Sequence, residues 1–221
     1  LSPYGTGTYA SRSTVLAGGA GILAGRDVRE KTLRIAAHLL EAHPADLVVQ
    51  DGRVAVRGLP DRYVTVRDVA KAAYGGVRHL PRGMEPGLEA TRFYDPYYGT
   101  ASNATHMAVV EVDRETFHVR ILRYLVVEDC GRMINPLVVD GQVHGGVAQG
   151  VGAALLEEIV YDGEGQLLTG TLMDYLVPTA HEIPEIETFH IESPASTVGG
   201  YKGVGEGGAI GWCSVTPGHE V

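Results

Sequence analysis

The sequence has few cysteines and few basic residues, and each shortage excludes a class of protein. Its two cysteines, Cys130 and Cys213, are too few for a disulfide framework or for a four-thiolate iron–sulfur cluster, so we expect a reducing, cytoplasmic compartment. Only 18 of the 221 residues are lysine or arginine, against 27 acidic ones. The resulting formal charge of −9 argues against a surface for nucleic acid or anionic membranes.

Long apolar runs and familiar catalytic motifs are also missing. No apolar run is long enough to span a bilayer, and the first residues, LSPYGTGTYA, lack the pattern of a signal peptide. They read as sequence from within a domain, so we expect protein to precede them. The nine histidines show no HxxxH or HExxH spacing, which argues against a metal held directly by protein ligands. Without a GxSxG elbow, the sequence also disfavours an α/β-hydrolase.

Glycine is the residue in excess. The 30 glycines are nearly double the average usage, and they concentrate in residues 5–25, 141–152 and 199–211. Glycine permits positive φ and lets other atoms approach the main chain closely. Three such clusters favour a bulky ligand held by the backbone, with tight helix packing and turns as the alternative for each cluster.

Hydrophobic periodicity predicts an α+β fold. The predicted elements are a helix from Ser13 to about His43, a hairpin turning at Asp51-Gly52, a helix capped by Thr65 and ended by Gly75, a strand at residues 88–96, two or three strands over 105–129, a helix entered at Asn135-Pro136, a hairpin at 161–178 and a strand at 185–193. Because these elements occur in blocks and hairpins, we expect mixed or antiparallel sheets with packed helices. We expect two lobes, residues 1–85 and 86–221.

The last glycine cluster, GGYKGVGEGGAIG, surrounds a single carboxylate, that of Glu206. In a glycine-lined, water-poor pocket such a group can act as a general base or acid, whereas the alternative is a solvated glutamate on a loop. Residues 203–208 match GxGxxG, but only 13 residues follow, too few for the second strand of a dinucleotide-binding unit. The loop's N–H groups could still hold phosphates, with Lys202 pairing with them.

The other two clusters carry polar side chains with ligand-binding spacing. Gln142 and Gln149 share one face of the predicted helix, and a face of Gln and Gly suits a flat, polar ligand. Residues 11–14, the run Ser-Arg-Ser-Thr, open the first helix and offer an anion site. The alternatives are close helix packing and an ordinary N-cap.

These stretches together resemble the molybdenum-binding large subunit of the xanthine dehydrogenase and aldehyde oxidase family. The resemblance is carried by residues 109–187, which include VVEDCGRMINPLVVDGQVHGGVAQGVGAALLEE, and by GGYKGVGEGGAIG. GTYASRST is similar to the carbon monoxide dehydrogenase-like branch. The resemblance runs from about residue 1 to Gly211 and implies a molybdenum cofactor-binding-domain-like fold, as the C-terminal part of such a subunit.

The resemblance also implies a site and a chemistry. The glutamate of KGVGE is the family's catalytic base, which by position is Glu206. The residues implied to lie at or near the cofactor are Ala10, Ser11, Arg12, Ser13, Thr14, Asn135, Gln142, Gln149, Lys202, Gly203, Val204 and Gly205. The expected cofactor is a molybdenum-pterin, with the cytosine dinucleotide form as one option and no direct protein ligand to the metal.

A molybdopterin-dependent hydroxylase of this family oxidises an aldehyde, a heterocycle or carbon monoxide, with water as the oxygen source. The expected partners are an iron–sulfur subunit, an FAD subunit and the earlier half of the large subunit. Two departures stand out: that earlier half is not in the sequence, and WCSVTPGHEV after Gly211 lacks the family's helical pattern. The rival hypotheses are a non-catalytic nucleotide- or phosphate-binding module and an inactive fragment.

Overall fold

The computed structural model describes residues 5, 7–96, 101–209 and 211 of the chain, and that part has the predicted α+β architecture. Its longer elements are α1 (Ser13–Leu40), β1 (Leu47–Gln50), β2 (Arg53–Val56), β3 (Leu59–Thr65), α2 (Val66–Tyr74), β4 (Asn103–Val112), β5 (Val119–Asp129), α3 (Pro136–Leu155) and β6 (Ile186–His190). The strands form one antiparallel and one mixed sheet, which confirms the predicted fold class. Within the described ranges, no helix combines the length and apolarity that crossing a membrane requires.

The chain separates into two compact units. One is Ala20–Tyr94, and the other combines Leu1–Gly19 with Asp95–Val221. The boundaries of these units fall after Gly19 and after Tyr94. The two lobes expected from sequence, 1–85 and 86–221, have a single boundary instead, and they stay a prediction.

The unit Ala20–Tyr94 is an antiparallel sheet, β1-β2-β3, with an apolar core. The predicted hairpin turns at Asp51 and Gly52, whose φ values of 48° and 73° are those of a type I′ turn. Thr65 caps α2 through a capping box with Asp68, as its sequence position predicted. The sequence did not predict β3, because proline and charged residues in LPDRYVT weaken the strand signal and are tolerated only at a sheet edge.

The other unit is built on the sheet β4-β5-β6. β4 and β5 are antiparallel, and β6 joins β5 in parallel, with Tyr124 opposite Ile186 and Glu128 opposite His190. α3 packs against this sheet. The core residues shared by helix and sheet are Tyr124, Val126, Val143, Val147 and Val151.

Two predicted elements are wrong. Residues 88–96 form no strand, because their polar groups serve other contacts: Lys31 Nζ donates to the Glu89 carbonyl at 2.8 Å, and the Arg92 guanidinium pairs with Asp27. The hairpin expected at 161–178 is reduced to a single bridge between Tyr161 and Leu167.

Candidate active site

The loop that carries Glu206 is anchored where β5 ends. Lys202 Nζ lies 2.8 Å from Asp129 Oδ2, and the two side chains are only 13% and 15% exposed. The Lys202 N–H donates to the Cys130 carbonyl at 2.9 Å, beside a bridge between Gly131 and Tyr201. The loop therefore leaves the sheet from a fixed point.

The ion pair with Lys202 helps to lower the pKa of Asp129. Burial acts to raise the pKa of this carboxyl, but hydrogen bonds from Lys202, Gly131 and Ser193 outweigh it and lower the pKa from 3.8 to about 2. Asp129 is thus ionised at neutral pH, and its charge is matched by the ammonium of Lys202.

Glycines allow the loop to lie directly on α3 and the sheet. A Cβ added to Gly208 would lie 2.2 Å from the Val143 carbonyl oxygen, and one added to Gly146 would lie 2.6 Å from the Ala209 nitrogen. His106 Nε2 on β4 donates to the Gly207 carbonyl at 3.1 Å. Any larger side chain at 146 or 208 would separate helix and loop, so these glycines set where Glu206 stands.

Three distant stretches meet at Glu206. The Ser11 hydroxyl donates to Glu206 Oε2 and accepts the Glu206 N–H at 3.1 Å. A Cβ added to Gly205 would lie 2.9 Å from Ser11 Oγ and 3.7 Å from Gln142 Oε1. The first, second and third glycine clusters are therefore adjacent here. Glu206 itself is exposed in the described chain, and its place in a water-poor pocket stays a prediction.

Backbone strain lies at the same place. Ala10 and Ser11 both have positive φ, 52° and 50°, immediately before α1. Such conformations are uncommon for residues other than glycine, and they persist at sites where the surroundings fix the chain. Here the fixed chain is the one that presents Ser11 to Glu206.

The other predicted site residues have contacts of their own. Arg12 lies 3.7 Å from the centre of the Tyr9 ring, and the Ser13 hydroxyl donates to Thr8 Oγ1 at 2.8 Å. Asn135 precedes α3 without a capping hydrogen bond from its side chain. The remaining ones vary in exposure: Thr14, Gln142 and Gln149 are exposed, Gly203 is buried and Val204 is half-buried. Their contact with a cofactor stays a prediction.

Sequence reasoning missed the groups beneath the loop. Glu128 is 1% exposed and lies so close to Gly207 that a Cβ there would be 1.8 Å from Glu128 Oε1. Strand alternation could have found it, because Glu128 is in phase with the buried Tyr124 and Val126. His106 could not have been found, because its contact spans 101 residues.

The polar groups at this site include the Ser11 hydroxyl, the Gln142 amide, the Glu206 carboxylate and backbone N–H groups. Among the residues placed by the structure, no group of three or more His, Cys, Asp or Glu side chains could hold a metal ion. The arrangement can thus orient a polar ligand and accept a proton from it, but it offers no set of protein ligands for a bare metal.

Comparison with known proteins gives consistent matches. The family model described as molybdopterin cofactor-binding domain matches residues 1–184. The chain is 42% identical over 211 residues to the carbon monoxide dehydrogenase large chain of Hydrogenophaga pseudoflava, covering 95% of this chain and 26% of that one. It is 42% identical over 208 residues to the nicotine 6-hydroxylase large subunit of Paenarthrobacter nicotinovorans, covering 94% and 26%.

Solved structures agree. The crystal structure of quinoline 2-oxidoreductase from Pseudomonas putida 86 superposes with a TM-score of 0.85 at 45% identity, over 95% of this chain and 27% of that chain. The present chain thus spans about a quarter of the length of the relatives it matches. On the family model and these relatives together, the chain belongs to the molybdopterin cofactor-binding domain family.

Proposed function

We propose that this chain works as part of the molybdopterin-binding large subunit of a molybdenum-dependent hydroxylase, with Glu206 as the catalytic base. The observation that carries the proposal is the meeting of Ser11, Gln142 and Glu206 from three separate glycine-rich stretches. The relatives named for quinoline, nicotine and carbon monoxide support a small, electron-poor substrate, an aldehyde, heterocycle or carbon monoxide, oxidised with oxygen from water.

Ser11 holds the proposed base in one orientation. Its hydroxyl is bonded to Glu206 Oε2 and to the Glu206 N–H, so the carboxylate and its backbone are fixed by the same side chain. We therefore propose Oε1 as the atom that accepts the proton. The exposure of Glu206 supports this role, because a base must be within reach of the group that it deprotonates.

The residues present fit a pterin cofactor. The exposed amide of Gln142 supplies two donors and an acceptor beside Gly205, and these groups suit the polar edge of a flat ring system. When bound, the cofactor supplies the molybdenum centre at which the substrate is oxidised. Gln149, Asn135 and residues 10–14 are proposed to contact its polar edges. For Lys202 we propose a backbone contact, since Asp129 already holds its ammonium group.

The finer features of the enzyme are part of this proposal. We propose the cytosine dinucleotide form of the cofactor, partner subunits that carry iron–sulfur clusters and FAD, and a cytoplasmic location. Exposed apolar side chains on the sheet face opposite α3 support coverage by further protein of the large subunit or its partners. They include Met107, Val109 and Phe189, each at least 44% exposed.

Glu206→Gln in the full-length, cofactor-loaded subunit tests the base. The amide keeps the shape of the side chain but accepts no proton, so we expect turnover to fall by roughly 10²-fold or more. Glu164→Gln is the matched control, because Glu164 is an exposed glutamate in a turn closed by a local hydrogen bond to Asp162, and it should leave turnover unchanged. Molybdenum and pterin contents are measured for both variants.

Two outcomes would contradict the proposal. Full turnover by Glu206→Gln with its molybdenum retained would remove Glu206 as the base. Purified wild-type protein that carries a plain dinucleotide and no molybdenum would favour the non-catalytic binding module instead.

A further inference from the structure

Glu128 is a buried carboxyl that the proposed reaction does not use. It projects from β5 toward α3, is 1% exposed, and neither of its oxygens has a hydrogen-bond partner among the described residues. Burial raises the pKa of Glu128 from 4.5 to about 7, with a neighbouring charge on His190 opposing the rise and Asp129 adding to it. A buried polar group without a partner is costly, so its position calls for a physical reason.

The structure places a second unpartnered group beside it. His190 is the register partner of Glu128 on β6, so both side chains lie on the same face of the sheet. His190 Nε2 donates to Asp140 Oδ1 at 2.7 Å, while its buried Nδ1 has no partner within residues 101–209. Asp140 also accepts the Thr188 hydroxyl, which fixes the far side of the imidazole.

The two unpartnered groups are chemically complementary. With Nε2–H committed to Asp140, Nδ1 of a neutral His190 accepts a hydrogen bond, and Nδ1–H of a charged His190 donates one. Glu128 donates when protonated and accepts when ionised. One proton between them therefore satisfies both side chains in either arrangement, through a small side-chain rotation or one bridging water.

This pair lies directly under the proposed base. Gly207, which follows Glu206, touches the Glu128 carboxyl, where a Cβ would lie 1.8 Å from Oε1. The Gly207 carbonyl is held from the other side by His106. Removing the shared proton would leave a net negative charge buried against the loop, where little water can stabilise it.

We propose that Glu128 and His190 form a buried pair that shares one proton and thereby holds the Glu206 loop in place, Glu128 acting as a positioning residue. The inference rests on the proposed function only for the catalytic role of Glu206. The titratable groups on the elements around the pair include His106 on β4, Tyr124, Asp129 and Cys130 on or just after β5, Asp140 and His144 on α3, His190 on β6, and Lys202 and Glu206 on the loop. Both ring nitrogens of His106 have partners, the Gly207 carbonyl and the Tyr124 hydroxyl, and Asp129 is held by Lys202. Among the described residues, the Glu128 carboxyl and His190 Nδ1 have none, so the proton is assigned to the pair.

Hydrogen exchange of residues 203–209 in the full-length protein tests the pair. If loss of the shared proton releases the loop, protection corrected for intrinsic exchange should fall by up to about tenfold per pH unit as the pH rises toward the midpoint near 7, and it should level off above that midpoint. In Glu128→Gln, which cannot ionise, that pH dependence should disappear. Glu111→Gln, which alters an exposed carboxylate on the same sheet, should behave as wild type. Equal pH dependence in wild type and Glu128→Gln would overturn the proposal.

Two further measurements keep the test decisive. If Glu128→Gln does not fold, the ¹⁵N shift of His190 Nδ1 in the wild-type protein should change at the same midpoint as loop protection, and an unchanged shift would overturn the pair. In the assembled enzyme, the same midpoint should appear in the kcat/KM profile and vanish in Glu128→Gln. Failure of Glu206→Gln to lower turnover would overturn the proposed base but leave the exchange result intact.

Discussion

The two compact units are packed by different chemistry. In Ala20–Tyr94 the described core is apolar, with Ile35, Val54 and Val69 fully buried, and the one buried polar residue, Thr32, donates to the Val28 carbonyl. The unit with the candidate site instead buries Glu128 and encloses the Lys202–Asp129 ion pair. Burying charge costs stability unless it is compensated, so the polar groups of the second unit point to function.

Glycine shows the same contrast. Gly52 has a φ of 73°, and a Cβ there would meet nothing within 4 Å, so this glycine serves a turn. Gly208 has an ordinary φ, but a Cβ there would strike Val143. Gly52 is required by the backbone conformation of its turn, whereas Gly208 is required by a close contact between distant parts of the chain. Substitution should therefore strain the backbone at Gly52 and disrupt packing at Gly208.

The largest expected effect is on the pH dependence of stability. The pKa of Glu128 is raised in the folded state from 4.5 to about 7. Its contribution to the free energy of unfolding is therefore fully present below pH 4.5 and is lost as the pH rises through 7. A shift of this size corresponds to about 3 kcal/mol. Urea unfolding of wild type and Glu128→Gln at pH 5 and pH 8 should show the loss in wild type alone. Equal losses in both would contradict the contrast between the units.

The next effect comes from the glycine at the contact. Gly208→Ala should destabilise the chain by about 1–3 kcal/mol, because the methyl group forces the loop away from α3. It should also lower turnover by displacing Glu206.

The matched control for Gly208→Ala is Gly25→Ala on α1, where a Cβ would meet nothing within 4 Å. That change should stabilise the helix by up to about 1 kcal/mol. The midpoints of thermal unfolding of Gly208→Ala and Gly25→Ala are compared with that of the wild type. A gain in stability from Gly208→Ala would contradict the close contact between Gly208 and Val143.

The smallest effect is expected in the apolar unit. Thr65→Ala removes the capping box of α2 and should cost about 1 kcal/mol of unfolding free energy. Turnover of the assembled enzyme should be unchanged, because the cap holds a helix outside the candidate site. A fall in turnover larger than the fall in folded fraction would contradict the placement of α2 outside the candidate site.

Local rules made much of the fold predictable. The turn at Asp51-Gly52, the capping box at Thr65, the Asn135-Pro136 start of α3 and the alternation of β4 and β5 each depend on residues within a few positions of one another. The wrong predictions concern segments whose conformation depends on residues far away in the sequence. Residues 88–96 were expected to be a strand, but partners on α1, about 60 residues away, determine their conformation.

The candidate site also has features that the sequence predicted and features that required the structure. Glycine enrichment and a lone glutamate marked Glu206 and the three clusters, because composition is visible without coordinates. The pairing of Ser11 with Glu206 joins residues 195 positions apart, and no local pattern encodes it. The ion pair of Lys202 also required the structure, since an exposed phosphate partner was equally consistent with the sequence.

By itself, the sequence determined most of the helices and strands and where the glycine-rich backbone lies, because propensity, capping and turn chemistry act over a few residues. Only the tertiary structure decided what that backbone touches. Gly207 meets Glu128, and Glu128 meets His190, through strand pairing and loop packing that bring together residues 62 to 79 positions apart. Contacts of this kind depend on the summed packing of the whole unit.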